Sequence, residues 1–480
     1  MVRRALLLAS TLLVLSLAAT ALARPGGGQS FSGGGSSSSG GGDGGADLVI
    51  ALVVLAFEHP TIGVPLLFIV GGILIFQKLK ERRQKDWSSG GDPGVAAPPT
   101  RAPSFDTLRT ADPGFSRVVF EDFVYGLYAE VARTRGLPGA PLDRMSAYLS
   151  AEAMTTLRAL PAGPVESVII GAMTPVAVEV GPSGSRVTLN VEANYTEAGK
   201  GVYAVERWTL ARGPGARSRT PDRVGMLGCP SCGAPVEALF GGQCSYCRQQ
   251  VNSGAFDWLV QHIQVLSREN RGPMLTTNVA ERGNDAPTIY DPGLREALQA
   301  LQAKDPSFDV GAAQTRVGVI FEQFQRAWTA RELAPMRPFM SDPLFATQAY
   351  WVSAYLAQHL RNLTERARIM RLELVKVSSD PYFDAITFRL FATGLDYTVD
   401  DDGRVVSGSR TKERAYTEYW TLIRGTNRKG PPRSDLVCPN CGAPLAVSMA
   451  GHCGYCQAKI TSGDFDWVLS RIEQDEVYAG

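Results

Sequence analysis

The stretch CPNCGAPLAVSMAGHCGYC, Cys438 to Cys456, lies between YTEYWTLIRG and FDWVLSRIE near the end of this 480-residue chain. Its four cysteines follow the spacing C-x2-C-x11-C-x2-C, which is typical of two knuckles that close a tetrahedral zinc site. A second stretch, CPSCGAPVEALFGGQCSYC, runs from Cys229 to Cys247 with the same spacing. All eight cysteines of the chain fall in these two units, so none remains for separate redox or nucleophilic chemistry.

Two structural zinc sites are therefore expected, because four thiolates leave no open coordination position for water. The predicted Zn²⁺ ligands are Cys229, Cys232, Cys244 and Cys247 in one site and Cys438, Cys441, Cys453 and Cys456 in the other. His452 is next to Cys453, but its counterpart in the first unit is Gln243, which predicts that the imidazole is not a ligand. Disulfides are the alternative use of these cysteines, and the compartment decides between the two.

The cysteine units belong to a longer internal repeat. Cys229 and Cys438 are 209 residues apart, and the same separation relates Trp258 to Trp467 in the phrases SGAFDW and SGDFDW. AVERWTLARG before the first unit corresponds to YTEYWTLIRG before the second. A period of about 200 residues is too long for a solenoid and indicates two copies of one domain.

The N-terminal region predicts a membrane-anchored protein. Residues 1–23 have the layout of a secretory signal, residues 24–47 form a Gly/Ser-rich linker, and residues 48–77 hold the apolar stretch of one transmembrane segment. Residues 78–103 form a basic juxtamembrane segment and linker, in which the cations between Lys78 and Lys85 are expected to touch anionic lipid. An uncleaved anchor at residues 1–23 and a two-span hairpin at residues 48–76 remain alternatives.

Positive charge after a membrane helix marks the cytoplasmic side. The expected location is therefore the inner cell membrane, with a single pass and the C-terminal domains in the cytoplasm. Because that compartment is reducing, the cysteines are predicted to bind zinc rather than to form disulfides.

The rest of the chain predicts an α+β fold. In VGVIFEQFQRAWTARELAPMRPFM, apolar residues from Ile320 to Phe339 follow helical spacing, and GLREALQALQ before it predicts a short helix. His359 falls in a further predicted helix. RARIMRLELVKVSS, FDAITFRLFATGLDYTV and ERAYTEYWTLIRG then alternate as strands, and the first copy shows the same order.

These segments, ending in EYWTLIRG and FDWVLSRIEQ, resemble the C-terminal domain of mitochondrial inner-membrane translocase subunit 44 and its bacterial relatives. The resemblance implies nuclear-transport-factor-like cones, with helices on a curved antiparallel sheet, at residues 104–268 and 304–476, joined by a linker at 269–303. In that family a short turn joins the last two strands. Here the zinc ribbons, residues 226–252 and 435–461, stand at this position, so each is expected to be inserted into the last hairpin.

The leaders into both ribbons are basic. Candidate contacts for an anionic partner are Arg217, Arg219 and Arg223 in the first leader and Arg428, Lys429 and Arg433 in the second. The alternative is that each leader is a solvent-exposed loop whose basic residues bind no ligand. The net charge of +1 and the absence of an aromatic-basic surface beyond the leaders argue against nucleic acid as a partner.

Three functions remain open. The first is a non-enzymatic, membrane-tethered scaffold that binds a protein partner, and the resemblance implies a role linked to protein translocation or membrane-complex assembly. The second is a nucleic-acid-binding membrane protein acting through the ribbons. The third is a pocket enzyme of the cone fold, although no phosphate-binding glycine loop, nucleophile elbow or metalloprotease motif occurs in the sequence. No catalytic residue is predicted.

Overall fold

The computed structural model describes residues 103–139, 141–161, 163–221, 227–272, 275, 284–475 and 477–480. The predicted signal peptide, the Gly/Ser linker, the transmembrane segment 48–77, the cations from Lys78 to Lys85 and Arg223 lie outside the described residues. Within the described ranges, no helix is both long enough and apolar enough to cross a membrane.

In the N-terminal half, the described residues form three helices followed by an antiparallel sheet. The helices are α1 (Asp106–Ala111), α2 (Arg117–Arg135) and α3 (Ala151–Ala159), with a 3-10 segment at Pro141–Ala147. The strands are β1 (Val165–Gly181), β2 (Gly184–Glu197), β3 (Lys200–Arg212), the two-residue β4 (Leu239–Phe240) and β5 (Gln243–Cys244), and β6 (Leu259–Glu269). The large sheet has the order β1-β2-β3-β6, and β4 pairs only with β5.

The C-terminal half has a similar order of helices and long strands. Its helices are α4 (Leu294–Lys304), α5 (Val310–Ala330) and α6 (Asp342–Ala357), with a 3-10 segment at Arg337–Phe339. Its strands are β7 (Leu360–Ser379), β8 (Phe383–Asp400), β9 (Val405–Gly408), β10 (Arg414–Gly425) and β11 (Val468–Gln474). The sheet has the order β11-β10-β8-β7, and β9 adds to β8. The predicted α+β class with antiparallel sheets is confirmed.

Side-chain hydrogen bonds cap the N-termini of the two longest helices, α2 and α5. Ser116 accepts a hydrogen bond from the Val119 amide at the start of α2, and Asp309 accepts one from the Ala312 amide at the start of α5. Both caps satisfy amides that have no partner inside the helix. Helix α5 ends at Ala330, and the following residue, Arg331, has left-handed backbone angles.

One face of each sheet packs against its helices around a buried tryptophan. Trp208 of β3 is in ring contact with Tyr128 of α2, and Trp420 of β10 is in ring contact with Phe321 and Phe324 of α5. Both indoles are almost fully buried, and each donates a hydrogen bond to the glutamate two residues earlier in its strand. The long first strand of each sheet, β1 or β7, has three register shifts, which increase local twist.

Two expectations about the helices of the second half were wrong in part. Helix α5 ends at Ala330, and Phe339 lies in the separate 3-10 segment, because the chain leaves the helix at the left-handed Arg331. His359 lies outside helix α6, which ends at Ala357. It has a positive φ of 55° and its exposed ring pairs with Asp401 at 2.9 Å.

Candidate metal centres

Each cysteine unit lies in the chain between two strands that pair with one another. Strand β3 pairs with β6, and β10 pairs with β11, so each unit leaves and re-enters its sheet at neighbouring positions. One backbone hydrogen bond closes the base of each insertion. The Gly213 amide donates to the Gly254 carbonyl at 2.8 Å, and the Gly425 amide donates to the Gly463 carbonyl at 2.9 Å.

The four sulfurs of each unit converge. All four Sγ atoms of a cluster lie within 4.8 Å of one another, in the first unit and in the second. The paired Sγ atoms are 3.7 Å apart for Cys229 and Cys247 and 3.8 Å apart for Cys232 and Cys244. The matching distances in the second unit are 3.9 and 4.0 Å.

These separations fit a metal cage and not a disulfide. A tetrahedron with zinc–sulfur bonds of about 2.3 Å has sulfurs about 3.8 Å apart. A disulfide bond would bring two sulfurs to about 2.05 Å. No disulfide joins any of the eight cysteines, all of which belong to described ranges. The two clusters can therefore each hold one metal ion with four sulfur ligands.

Tight turns shape both knuckles of each unit. In both first knuckles a glycine with positive φ, Gly233 at 80° or Gly442 at 73°, donates its amide to the carbonyl of the first cysteine. Only glycine adopts this conformation without strain, which explains the glycine after each C-P-x-C. In both second knuckles a residue with positive φ follows the last cysteine. This residue is Arg248 in the first unit and Gln457 in the second.

The surrounding dipoles favour thiolate in the last cysteine of each unit, whereas burial raises the pKa of Cys229. The Gln249 backbone amide lowers the pKa of the Cys247 thiol to about 7. The Asn440 side chain and the Ala458 backbone amide lower the pKa of Cys456 to about 6. Because thiolate is the metal-binding form, these amides favour metal binding. The Nδ1 of His452 donates to the Gln457 carbonyl oxygen at 3.0 Å, and the imidazole does not belong to the sulfur cluster.

A buried ion pair lies beneath each insertion. Arg212, the last residue of β3, pairs with Asp112 at 2.7 Å, and Arg424 of β10 pairs with Asp305 at 2.8 Å. Each guanidinium also lies 4.6 Å from the ring centre of the tryptophan in the returning FDW phrase. This clamp joins the segment after α1 or α4 to both strands at the base of the insertion. The sequence patterns did not indicate it.

The aspartate of each FDW phrase is also buried and paired. Asp257 and Asp466 each accept a hydrogen bond from the amide of the following tryptophan at 2.8 Å. Burial raises the pKa of both carboxyls, and the nearby arginine opposes this, Arg219 for Asp257 and Arg316 for Asp466. Arg219 lies 2.8 Å from Asp257, whereas Arg316 lies 3.5 Å from Asp466.

The insertions are also fixed to the body of the protein. In the first, the Tyr148 hydroxyl donates to the Gly228 carbonyl at 2.6 Å, and Ser146 accepts from the Gly242 amide at 3.1 Å. In the second, Arg337 donates to the Met449 carbonyl at 2.7 Å, and Lys459 donates to Asp342 at 2.7 Å. The anchoring residues come from the 3-10 segments or the residues after them, so each insertion is held against the helical layer of its own half.

The predicted anion contacts occupy different settings. Arg219 is mostly buried and forms an ion pair with Asp257. Arg433 forms an ion pair with Asp435 at 2.6 Å. Arg217 and Lys429 are exposed, and Arg428 is half-buried.

The outer surface of each insertion carries two apolar side chains at equivalent positions. Phe240 and Tyr246 are 71% and 74% exposed in the first insertion. Met449 and Tyr455, each 209 residues later, are 49% and 62% exposed in the second. The sequence offered one signal for this surface, the tyrosine inside each C-x-Y-C phrase. Below, these four residues are called the tip residues.

Comparison with known families identifies one part of the chain. The Tim44-like domain family matches residues 294–432, which run from α4 to just beyond β10. The match supports the resemblance noted for residues 304–476. It ends before Cys438, so it covers neither the second sulfur cluster nor the returning strand β11. No curated protein matches this chain.

Proposed function

We propose that this protein is a membrane-tethered, non-enzymatic scaffold that presents two zinc-bound insertions to a protein partner in the cytoplasm, with a role in protein translocation or membrane-complex assembly. The observation that carries the proposal is the pair of four-sulfur clusters, each fixed on its own sheet with exposed apolar residues at its outer surface. The Tim44-like match at residues 294–432 supports the link to membrane translocation.

Zinc is the metal proposed for both clusters. Four thiolates at the separations of a tetrahedron of about 3.8 Å edge suit zinc, which has no preference for another geometry. A closed cage supplies folding free energy to a short insertion that has little core of its own. Neither cage leaves a position for a reacting water, which supports a structural role.

The tip residues supply the proposed binding surface. Large apolar and aromatic side chains that stay exposed at two equivalent places are unusual on a monomer, and tyrosine is enriched among residues that dominate binding energy. The duplication itself is part of this proposal. Two copies of one weak binding surface on a single tethered chain would raise the effective affinity for a partner that carries two sites.

Affinity capture from detergent-solubilised membranes tests the proposal. The wild-type chain is compared with a double variant, Tyr246→Ser with Tyr455→Ser, and with the control Tyr290→Ser, which removes another exposed tyrosine. Loss of binding tyrosines is expected to weaken partner recovery by about thirtyfold, since such residues contribute about 2 kcal/mol or more. The control is expected to recover the same membrane-complex components as the wild type.

Two results would contradict the proposal. Equal recovery of every membrane component by the wild type and the double variant would exclude the tip residues as the binding surface. Recovery dominated by nucleic acid, lost as salt rises, would favour the alternative in which the leaders bind phosphates.

A further inference from the structure

A cavity of about 520 Å³ lies at the junction of the two halves of the molecule, away from both sulfur clusters. One wall is helix α2, and the opposite wall is the outer face of the second sheet, where Thr387 and Thr421 share a 2.9 Å hydroxyl contact. Their neighbours Phe388 and Trp420 point into the core on the other face. The volume falls in the range of about 300–1,000 Å³ that is usual for small-molecule sites, which often form between structural units.

Direct contacts hold the two walls in place. Glu121 of α2 pairs with Arg117 at 2.8 Å and with Arg471 of β11 across the junction. The Ser116 hydroxyl donates to Asp380 at 2.7 Å. The cavity is therefore built by ion pairs and hydrogen bonds between the halves, and a ligand would find it formed before binding.

Lys376 of β7 is the loosely partnered cation of this cavity. Its Nζ lies 3.9 Å from the nearest carboxylate, that of Asp291, whereas Lys304 and Lys459 lie 2.8 and 2.7 Å from their partners. The Lys376 side chain is only a quarter exposed. Burial and the adjacent Arg117 charge lower its pKa. A closer anion would relieve both effects, since burying a charge without a close partner costs free energy.

Further hydrogen-bond donors line the same space. Tyr478 is 4% exposed, and its hydroxyl has no hydrogen-bond partner among the described residues. The hydroxyls of Thr387 and Thr421 also border the cavity. An unpartnered buried hydroxyl and a loosely paired ammonium are both groups that an acceptor-rich ligand would satisfy.

The carboxylates of the wall are mostly engaged with the protein. Glu121 is held by two arginines, and Asp380 accepts from Ser116 and from the amides of Tyr382 and Phe383. Asp122 is the exception, because it forms no hydrogen bond or ion pair with any described residue. Above pH 7, where this carboxyl is charged, it opposes anion binding, so its removal provides a test at pH 8 in the opposite direction to that of Lys376.

We propose that this cavity binds a small organic anion whose carboxylate or phosphate group is held by Lys376. Such a site would be separate from the zinc-bound insertions and from their partner. A bound anion would also strengthen the junction, because it would add a contact between residues of both halves.

Isothermal titration of the purified, detergent-solubilised full chain tests this site. The probes are malonate for the carboxylate class and inorganic phosphate for the phosphate class, each at ionic strength matched with sodium chloride. Saturable binding of at least one probe is expected, and the stronger of the two identifies the class. Lys376→Met should weaken that binding by about tenfold or more, the value of one charge-assisted hydrogen bond. Asp122→Asn should strengthen it.

The control is Lys412→Met, which removes an exposed lysine and should leave binding unchanged. Methionine preserves the length and apolar stem of Lys376, and a thermal melt in the absence of probe shows whether the variant is folded. Absence of saturable binding by the wild type overturns the proposal. So does unchanged affinity in Lys376→Met, or weaker affinity in Asp122→Asn.

Discussion

The two sulfur clusters differ in how the protein around them neutralises the same buried carboxylate. Asp257 in the first half receives Arg219 from the leader of its own insertion. Asp466 in the second half receives Arg316 from helix α5, more than a hundred residues earlier in the chain. A cation beside the FDW aspartate is thus supplied twice by different elements. Both buried carboxylates are paired with an arginine, but the two arginines come from different parts of the fold.

The outer faces of the two sheets differ more strongly. Residues 284–291 cross the outer face of the second sheet, where Arg389 donates to the Ala286 carbonyl and pairs with Asp475 at 2.7 Å. The equivalent face of the first sheet carries Asn190 and Arg207, joined by a 2.9 Å hydrogen bond and partly open to solvent. The features that the two halves share are therefore those that support the insertions, whereas the outer faces of the two sheets differ.

The largest expected effect comes from breaking one sulfur cluster at a time. Cys229→Ser should remove the metal from the first insertion and Cys438→Ser from the second, because each cage uses four thiolates. Loss of zinc should unfold that insertion, since metal binding supplies most of its folding free energy. Hydrogen exchange should show lost protection in residues 227–252 or in residues 435–461, respectively. Loss in both regions from a single substitution would refute independent sites.

The next largest effect comes from the ion pair below each insertion. Asp112→Ala and Asp305→Ala each leave a buried arginine without its carboxylate. Each should lower the free energy of unfolding by about 3–5 kcal/mol, measured by urea denaturation. The exposed pair Arg158–Asp143 provides the control, because Asp143→Ala should cost about 1 kcal/mol or less. A small effect at either buried site would mean that the clamp is not equivalent in the two halves.

The unequal partners of the FDW aspartates predict unequal costs. Arg316→Met should be the more harmful substitution, at about 3 kcal/mol or more, since Arg316 also donates to the carbonyls of Trp467 and Arg433. Arg219→Met should cost about 1–2 kcal/mol, because Arg219 forms one close ion pair with Asp257. Unfolding in urea compares the two variants. The reverse order would show that the leader arginine is the stronger support.

The smallest effect expected is a change of stability with pH at the junction. Asp122 is exposed at the edge of the junction. Loss of water around its carboxyl there, together with the nearby charges of Glu121 and Asp342, raises its pKa to about 7, above the 3.8 of an unperturbed aspartate. The folded state therefore favours the protonated form, and this contribution to stability is present below pH 4 and lost as the pH rises towards 7. Asp122→Asn should abolish that decline between pH 5 and pH 8 in urea unfolding, whereas the exposed control Asp143→Asn should retain it.

Local sequence patterns were sufficient for much of this structure. The alternation of WTLIR and of FDWVLSRI predicts strands, and the cysteine spacing predicts a four-sulfur site, because both depend on residues close together in the chain. The short helix α4 was likewise predicted from its periodicity.

The features that local sequence patterns did not predict depend on residues far apart in the chain. Arg316 belongs to a helical repeat that predicts only a helix, and nothing near it indicates Asp466 across the fold. Arg219 looked like a free surface charge because its partner Asp257 comes 38 residues later. The cavity at the junction combines residues of both halves, so no local pattern could predict it.

Metal analysis of the purified full chain, combined with X-ray absorption at the zinc edge, tests the central claim most directly. The account predicts two zinc ions per chain, each with four sulfur neighbours at about 2.3 Å, and one zinc ion after Cys229→Ser or Cys438→Ser. A chain without zinc and with oxidised cysteines would contradict the account, as would zinc bound by nitrogen or oxygen ligands.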